Sequence, residues 1–512
     1  MNLAGLAREN LDKFGEYERL IFEGRSFTNR ELYDASRRLA SALSKLELLP
    51  GDKVVVFAMN SPEVLISYPA IWAAGCVAIP VLALLETHEL TYVLKNSGAK
   101  ALITSPDLYE RAKEASDNAG GSRRLIVTAA PAEVPPGALA FERLVAESEP
   151  MAEPVARAPS DLAVILYTSG TTGTPKGVMQ THGNLRANAQ NSYNSQPRKD
   201  LRLTTLLVLP LAHSFGLGVS IGGNLYGGKA ILTRWFDPEE SLRLIQEHKV
   251  QAMAGVPTMF IYMMNHPRAH EYDTSSVERW LVGGAPMPHE QIRQFEEKFG
   301  GRLFVGYGLT EACPGIAGDR ENLPSKPGSC GVVAEGVRVK IVDEAGNELG
   351  RNRAGEICAS GANISPGYYQ MPEATAATFK DGWLHTGDIG YLDDDGYLFI
   401  IGREKDLIIR GGFNVYPKDV EEVLAAHPAV KECAVVGFPD PVMGEEVCAY
   451  IVKKEDTEVT SAELIAHCRS QLAKYKTPKR VEFLESLPKT SIGKVQKKEL
   501  RKRASVPPGP NR

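Results

Sequence analysis

At 512 residues, with 24 % charged residues and a formal net charge of −5, the chain is too long for one hydrophobic core and implies at least two domains. So small an imbalance excludes a global electrostatic attraction to nucleic acid or to an anionic membrane. The seven cysteines form no CxxC pair and no zinc spacing, which fits a chain kept reduced in a cytoplasm. Residues 1–15 carry charges throughout and lack the apolar core of a secretion signal.

Along the chain, helical period over residues 29–46 is followed by a strand pattern at 52–58, a helix at 61–74 and a strand at 100–104. Strand patterns recur at 123–128, 201–209 and 250–256, and such alternation implies an α/β architecture with largely parallel sheets. Residues 64–85 carry no charge and match the roughly 20 residues that cross a bilayer. Pro69, Gly75 and Pro80 interrupt them, so a buried helix followed by a buried strand is expected. Residues 129–160, rich in Ala, Pro and Glu, read mainly as surface loop and linker. From 331 onward the pattern shifts to short strands at 331–343, 355–360 and 391–401. A charged break at 403–406 precedes helix and strand patterns at 417–426, 430–438, 447–452 and 461–472. The expected fold is α/β. A large N-terminal domain (1–402) combines α/β subdomains with a β-rich subdomain; a hinge (403–406) leads to a small mobile α+β domain (407–512).

The apolar run 162–166 reads as a buried strand, and it feeds residues 167–178, YTSGTTGTPKGV. A Gly- and Thr-rich turn between this strand and a helix beginning near 182 offers backbone N–H groups and hydroxyls to an anion, usually phosphate. Lys176 supplies a point charge. Gly177 stands where a Walker A loop requires Ser or Thr after the lysine, so this is a different phosphate loop. Ordinary surface loops are also rich in these residues, but they seldom join such a lysine to a buried strand.

Further segments accompany the loop: PLAHSFG at 210–216, GGAP at 283–286, GYGLTE at 306–311, WLHTGD at 383–388 and PKTSIGKV at 488–495. With these motifs in this order, over about residues 27–501, the chain resembles the acyl-adenylate-forming enzymes. That family includes AMP-forming acyl-CoA synthetases, aryl-CoA ligases, luciferases and peptide-synthetase adenylation domains. The resemblance implies attack of a substrate carboxylate on the α-phosphate of ATP, with Mg²⁺, and then transfer of the acyl group to a thiol. A carboxylate is a poor electrophile, and adenylation turns its oxygen into a leaving group.

By the same resemblance, Thr168, Ser169, Gly170, Thr171, Thr172, Gly173 and Lys176 orient the β- and γ-phosphates. Thr310 donates to the α-phosphate, and Glu311 is a hard oxygen ligand for Mg²⁺. Tyr307, beside Gly308, packs on the adenine, with Gly284, Ala285 and Pro286 forming the adenine-side loop. Asp388 accepts the ribose hydroxyls, with Arg403 as a second ribose contact. Lys494 bridges the carboxylate and the α-phosphate and stabilises the developing charge. Lys405 matches the hinge about which the small domain rotates, and Gly411 and Gly412 line the acceptor tunnel. Taken singly, these residues have ordinary explanations: a core tyrosine, a capping threonine, a solvated glutamate, a turn aspartate. The basic run 497–503 reads as a solvated helix face.

His213 matches the gate of the acyl pocket, a bland core histidine being the alternative, and Phe215 its wall. Ser214 stands where amino-acid-activating members place an aspartate. Gly306, after Val305, stands where malonate-type members place an arginine. Val256, Gly306, Leu309 and Cys313 suggest a largely apolar pocket. The expected activity is an acid:CoA ligase for a medium- or long-chain fatty acid. The alternatives are an aryl or cyclic acid, or a stand-alone adenylating enzyme that loads an acyl carrier protein. An inactive nucleotide-binding scaffold is disfavoured by the joint presence of Thr171, Lys176, Glu311, Asp388, Arg403 and Lys494. The expected small molecules are ATP, Mg²⁺, a carboxylic acid and coenzyme A, with no nucleic acid and no membrane-spanning segment; a homodimer is left open.

Overall fold

The structure, a computed structural model, describes residues 2–128, 134–168, 175–196, 202–455, 457–490 and 493–505. Val54, Val55 and Val56 are all buried in the strand Lys53–Phe57, so that strand has no solvated face. Such a strand needs cover on both sides, which crossover helices over a parallel sheet provide. It lies inside a seven-stranded sheet ordered Ala138–Ala140, Arg124–Val127, Ala101–Thr104, Lys53–Phe57, Val77–Val81, Leu162–Thr168 and Lys176–Thr181. Every neighbouring pair is parallel except the last. The helix Asn29–Lys45 starts at a capping box, in which the Thr28 hydroxyl accepts from the Glu31 N–H and the Glu31 carboxylate accepts from the Thr28 N–H. The helix Pro62–Ala73 is capped by Ser61 and buried on most of its faces. The uncharged stretch 64–85 is therefore this buried helix plus the strand Val77–Val81. Among the described residues no helix is long and apolar enough to cross a membrane.

The second sheet has fourteen strands. From Glu18–Phe22 through Lys229–Leu232, Thr204–Leu207, Ala252–Gly255 and Arg279–Val282 to Arg302–Gly308 the pairing is parallel. Beyond Arg302–Gly308 it becomes antiparallel, through Gly315–Gly318, Ser329–Val333, Tyr397–Arg403, Trp383–Leu392, Gly355–Gly361 and Val337–Val342. One strand thus joins the α/β part to the β-rich part. It ends in the GYG motif, at the carboxyl edge where open α/β sheets bind ligands. The parallel part is held to the helix His289–Phe299 by the fully buried Trp280, which meets Phe295 edge-to-face at 5.1 Å and 87°.

The small domain is a five-stranded sheet in which Gly444–Lys453 pairs antiparallel with Val430–Asp440 and parallel with Arg480–Phe483. The helices Pro417–Ala425 and Ser461–Gln471 contribute Val420, Leu424 and Leu464 to its core. The chain is α/β with a large N-terminal and a smaller C-terminal domain.

Three local expectations need correction. The glycine-rich loop connects two antiparallel strands, Leu162–Thr168 and Lys176–Thr181, and the helix His182–Asn194 follows only after the second. Within the expected linker 129–160, Ala138–Ala140 adds an edge strand and Phe141–Ala146 forms a short helix anchored by the buried Phe141. The basic run forms the helix Lys497–Ala504, but three of its cations are paired: Lys497 with Glu421 at 2.6 Å, Lys502 with Glu499 at 2.8 Å, and Arg501 with Asp406.

Candidate active site

The carboxyl ends of the parallel strands, the helix Ser214–Tyr226 and, from the small domain, Thr490, Lys494 and Val495 surround one cleft. It is lined by Thr168, Lys176, His213, Phe215, Gly284, Ala285, Pro286, Gly306, Tyr307, Gly308, Leu309, Thr310, Glu311, Asp388, Arg403, Lys405 and Lys494. Ser169, Gly170, Thr171, Thr172 and Gly173 lie outside the described residues, as do Ser491 and Ile492 of the lysine motif. Val256 and Cys313 do not line the cleft. They are 4 % and 1 % exposed and belong to the apolar cores behind its wall. Cys313 has φ +62, and burial pushes its thiol well up. Gly411 and Gly412 also stand outside the cleft, in the turn between Ile408–Arg410 and Phe413–Val415.

Asp388 is 4 % exposed and holds two partners: its Oδ2 accepts from the Tyr307 hydroxyl at 2.7 Å, and its Oδ1 pairs with the Arg403 Nε at 2.9 Å. Asp388 and Arg403 are cross-strand neighbours, which fixes the pair through backbone register. Burial and then the Asp388 charge push the Tyr307 hydroxyl far above its usual range, so it remains a donor. Glu311 accepts from the Tyr368 hydroxyl at 2.8 Å through Oε1, and the Lys176 ammonium lies 4.7 Å from the Tyr368 ring centre. Tyr368 therefore links the lysine after the phosphate loop to the metal candidate. The Glu311 carboxylate in the cleft suits Mg²⁺, which binds through one or two carboxylates plus phosphates. Thr310 Oγ1 lies 3.3 Å from Ser214 Oγ, while the Thr310 carbonyl accepts from Gln180 Nε2 at 2.9 Å.

Lys494 reaches this group from the small domain. Its Nζ lies 4.0 Å from where a side chain on Gly284 would begin, and Gly284 has φ +83. Burial first and Arg403 second lower the Lys494 ammonium below its usual value, while Asp388 and Glu311 oppose them. An anion placed between Lys494 and Arg403 relieves that cost, as a phosphate group would. The lysine segment is docked by Thr258, whose hydroxyl donates to the Gly493 carbonyl at 3.4 Å. Lys489 adds bonds to the Tyr262 hydroxyl at 3.0 Å and to Glu432 at 2.7 Å. His213 is pushed down to about 3 by burial and then by Lys494, so its ring is neutral, and Nδ1 accepts the Phe215 N–H at 3.3 Å.

Gly308 admits no side chain: a Cβ there would lie 1.8 Å from the Pro314 carbonyl oxygen, which already accepts the Leu309 N–H at 3.0 Å. Gly308→Ala is expected to destabilise the protein by about 3 kcal/mol, the upper end for overpacking, and to displace Thr310 and Glu311. Thermal melting and pyrophosphate release should fall together; an unchanged melting midpoint would show that the turn yields freely.

The sequence profile of the AMP-binding enzymes matches residues 7–369, and that of the AMP-binding enzyme C-terminal domain matches residues 419–494. The chain belongs to the AMP-binding enzyme family. It is 39 % identical over 484 residues to a feruloyl-CoA synthase of Amycolatopsis sp, covering 94 % of each chain. It is 34 % identical over 525 residues to a long-chain-fatty-acid–CoA ligase of Bacillus subtilis (strain 168), covering 97 % of this chain and 94 % of that one. The crystal structure of ATP-bound MatB from Rhodopseudomonas palustris superposes with a TM-score of 0.90 at 32 % identity, over 98 % and 99 % of the two chains. The protein is an AMP-forming acyl-CoA synthetase that uses ATP, Mg²⁺ and coenzyme A.

Two residues at or behind the cleft, Tyr368 and Gln180, had no sequence signal. Tyr368 meets Glu311 and Lys176 only through tertiary packing. Gln180 is fully buried behind the cleft, and its side-chain oxygen has no hydrogen-bond partner among the described residues.

Proposed function

We propose that this enzyme ligates coenzyme A to an elongated apolar acid, with an aryl acid of the size of ferulate as the favoured substrate. The carrying observation is the apolar lining of the cleft around Phe215. The Phe215 ring lies 3.3 Å from where a side chain on Gly283 would begin, so strand and ring form a close apolar wall. Val219, Leu281 and Leu309 also line the cleft, and a side chain on Gly222, another lining residue, would meet open space. An apolar lining of this kind suits an aryl or aliphatic acid. The identity to the feruloyl-CoA synthase supports this reading. A medium- or long-chain fatty acid is the second reading, supported by the opening at Gly222 and by the long-chain-fatty-acid ligase relative. Ser214 and Gly306 leave neither an ammonium nor a second carboxylate a charged partner at those positions.

In this reading Lys176 and Lys494 neutralise the phosphates, Glu311 holds Mg²⁺, Thr310 contacts the α-phosphate, and Asp388 with Arg403 holds the ribose. Neutral His213 and Phe215 border the acyl group. The small domain then turns about Lys405 within 403–406, bringing Gly411 and Gly412 to the cleft for the thiol. The seven cysteines are free, which agrees with a cytoplasmic setting.

The test is pyrophosphate release with ATP and Mg²⁺ across acetate, hexanoate, palmitate, benzoate, cinnamate, ferulate and malonate, each with and without coenzyme A. The expected result is CoA-dependent multiple turnover with the highest kcat/KM on ferulate-sized aryl acids. A preference for palmitate selects the fatty-acid reading. A single burst that coenzyme A does not relieve points to a carrier protein as the acceptor.

A further inference from the structure

Glu356, Cys358 and His385 meet beside the nucleotide end of the cleft, and the activity derived above uses none of them as a ligand. Cys358 and His385 are directly opposed on the antiparallel strands Gly355–Gly361 and Trp383–Leu392. Glu356 is two residues before Cys358, across an irregularity in the pairing that lets its carboxylate reach the same ring. Cys358 Sγ lies 3.5 Å from His385 Nδ1, and Glu356 Oε2 lies 2.7 Å from the same nitrogen. One ligand atom from each falls within 4.8 Å of the other two. Cys358 is fully buried, whereas the Glu356 and His385 side chains are 23 % and 19 % exposed, so an ion reaches them from the cleft.

We propose that Glu356, Cys358 and His385 form a binding site for a thiophilic divalent cation such as Zn²⁺ or Cd²⁺, and that its occupation weakens nucleotide binding. Zinc–ligand bond lengths with tetrahedral angles require about 3.6 Å between sulfur and nitrogen and about 3.4 Å between oxygen and nitrogen. The sulfur–nitrogen separation already matches, and the carboxylate has only to withdraw by about 0.7 Å. Charge also closes: a thiolate, a carboxylate and a neutral imidazole cancel the +2 of the ion. On binding, the Cys358 thiol proton passes to solvent and the His385 proton sits on Nε2, leaving Nδ1 to the metal. Burial, and then the Glu356 charge, otherwise keep that thiol protonated, while Lys340 and Lys380 face it as cations and moderate the affinity.

The coupling runs through one turn. Glu356 Oε1 accepts the Gly387 N–H at 3.0 Å, and the next residue is Asp388. Thr386 fixes the same turn, its hydroxyl accepting the Asp388 N–H at 3.1 Å. Moving the Glu356 carboxylate onto a metal disturbs this corner and the Asp388 pairs with Tyr307 and Arg403. This second half of the proposal rests on Asp388 as the ribose ligand; the metal site itself does not.

The experiment titrates the full-length protein, without nucleotide, with CdCl₂ and CoCl₂ and follows the thiolate-to-metal charge-transfer band. It then measures the apparent ATP KM at saturating Mg²⁺ with and without ZnCl₂. A band that saturates at a single equivalent in the wild type and is lost in Cys358→Ser and Cys358→Ala is expected, the other six cysteines remaining in place. Zn²⁺ should raise the ATP KM about tenfold, with kcat little changed, and the Cys358 variants should turn over normally without that sensitivity. An undiminished band in both variants overturns the site. A Cys358-dependent band with an unmoved ATP KM supports the site and overturns the coupling. Zn²⁺ inhibition that is equal in wild type and variants also overturns the coupling, by placing the inhibition at the Mg²⁺ position.

Discussion

Replacing Lys494 by alanine is expected to reduce pyrophosphate release by about 10²- to 10³-fold, the cost of removing one preorganised charge that acts on a transition state. Thioester formation from supplied acyl-adenylate should be nearly unchanged. The asymmetry follows from location. Lys494 lies in the small domain yet reaches the cleft beside Gly284, within the electrostatic reach of Arg403, Asp388 and Glu311. In the proposed mechanism, carboxylate attack on the α-phosphate would place negative charge at that point, and once pyrophosphate has left, the need for the ammonium would be gone. The docking contacts Thr258–Gly493 and Lys489–Tyr262 are backbone or neighbouring-residue contacts. They persist in the variant, so the small domain still seats and any loss is chemical. Equal loss of both half-reactions would falsify the assignment of Lys494 to adenylation alone.

The parts of this architecture that were legible in the sequence are those set by short-range rules. The helix Asn29–Lys45 announces itself through Thr28 and Glu31, and the strand Lys53–Phe57 through its unbroken valines. The charged break at 403–406 precedes the small domain's own sheet. The parts that were not legible depend on pairing at a distance. Residues 176–181 read equally well as an approach to the following helix, and only their register against 162–168 makes them a strand. Ala138–Ala140 is too short to carry a period and exists because Arg124–Val127 offers an edge. The motif residues that line the cleft could be singled out in the sequence because each proposed phosphate, ribose or metal task needs a particular group on a local turn. Tyr368 and the Glu356–His385 pair could not, because their partners lie on other strands. Val256 and Cys313, expected on the pocket wall, are buried in the apolar cores beside it, a placement set by packing at a distance.

Asp388→Ala should abolish ATP binding more completely than any other single change in the cleft. Hydrogen bonds to a charged group contribute about 1.5–3 kcal/mol each. Loss of two to the ribose therefore corresponds to roughly 10²- to 10⁴-fold in affinity. The loss extends further, because Asp388 also orients the Tyr307 hydroxyl and the Arg403 guanidinium. Without the carboxylate, the buried Tyr307 hydroxyl loses its acceptor and Arg403 is free to swing away. Arg403 is half exposed, so water compensates it and the cost to folding is smaller than for a fully buried pair. The measurement is the rise in melting temperature on adding ATP, which scales with RT ln(1 + [ATP]/Kd). Wild type and Lys494→Ala should both show the rise, Asp388→Ala should show none, and Asp388→Asn should fall between, since the amide keeps one acceptor oxygen without the charge. An undiminished rise in Asp388→Ala would remove Asp388 from the nucleotide site and with it the electrostatic reason for a cluster of Lys494, Arg403 and Asp388. Retention by Lys494→Ala together with loss by Asp388→Ala would separate holding the nucleotide from acting on its α-phosphate, assigning the first to the large domain and the second to the lysine that the small domain delivers.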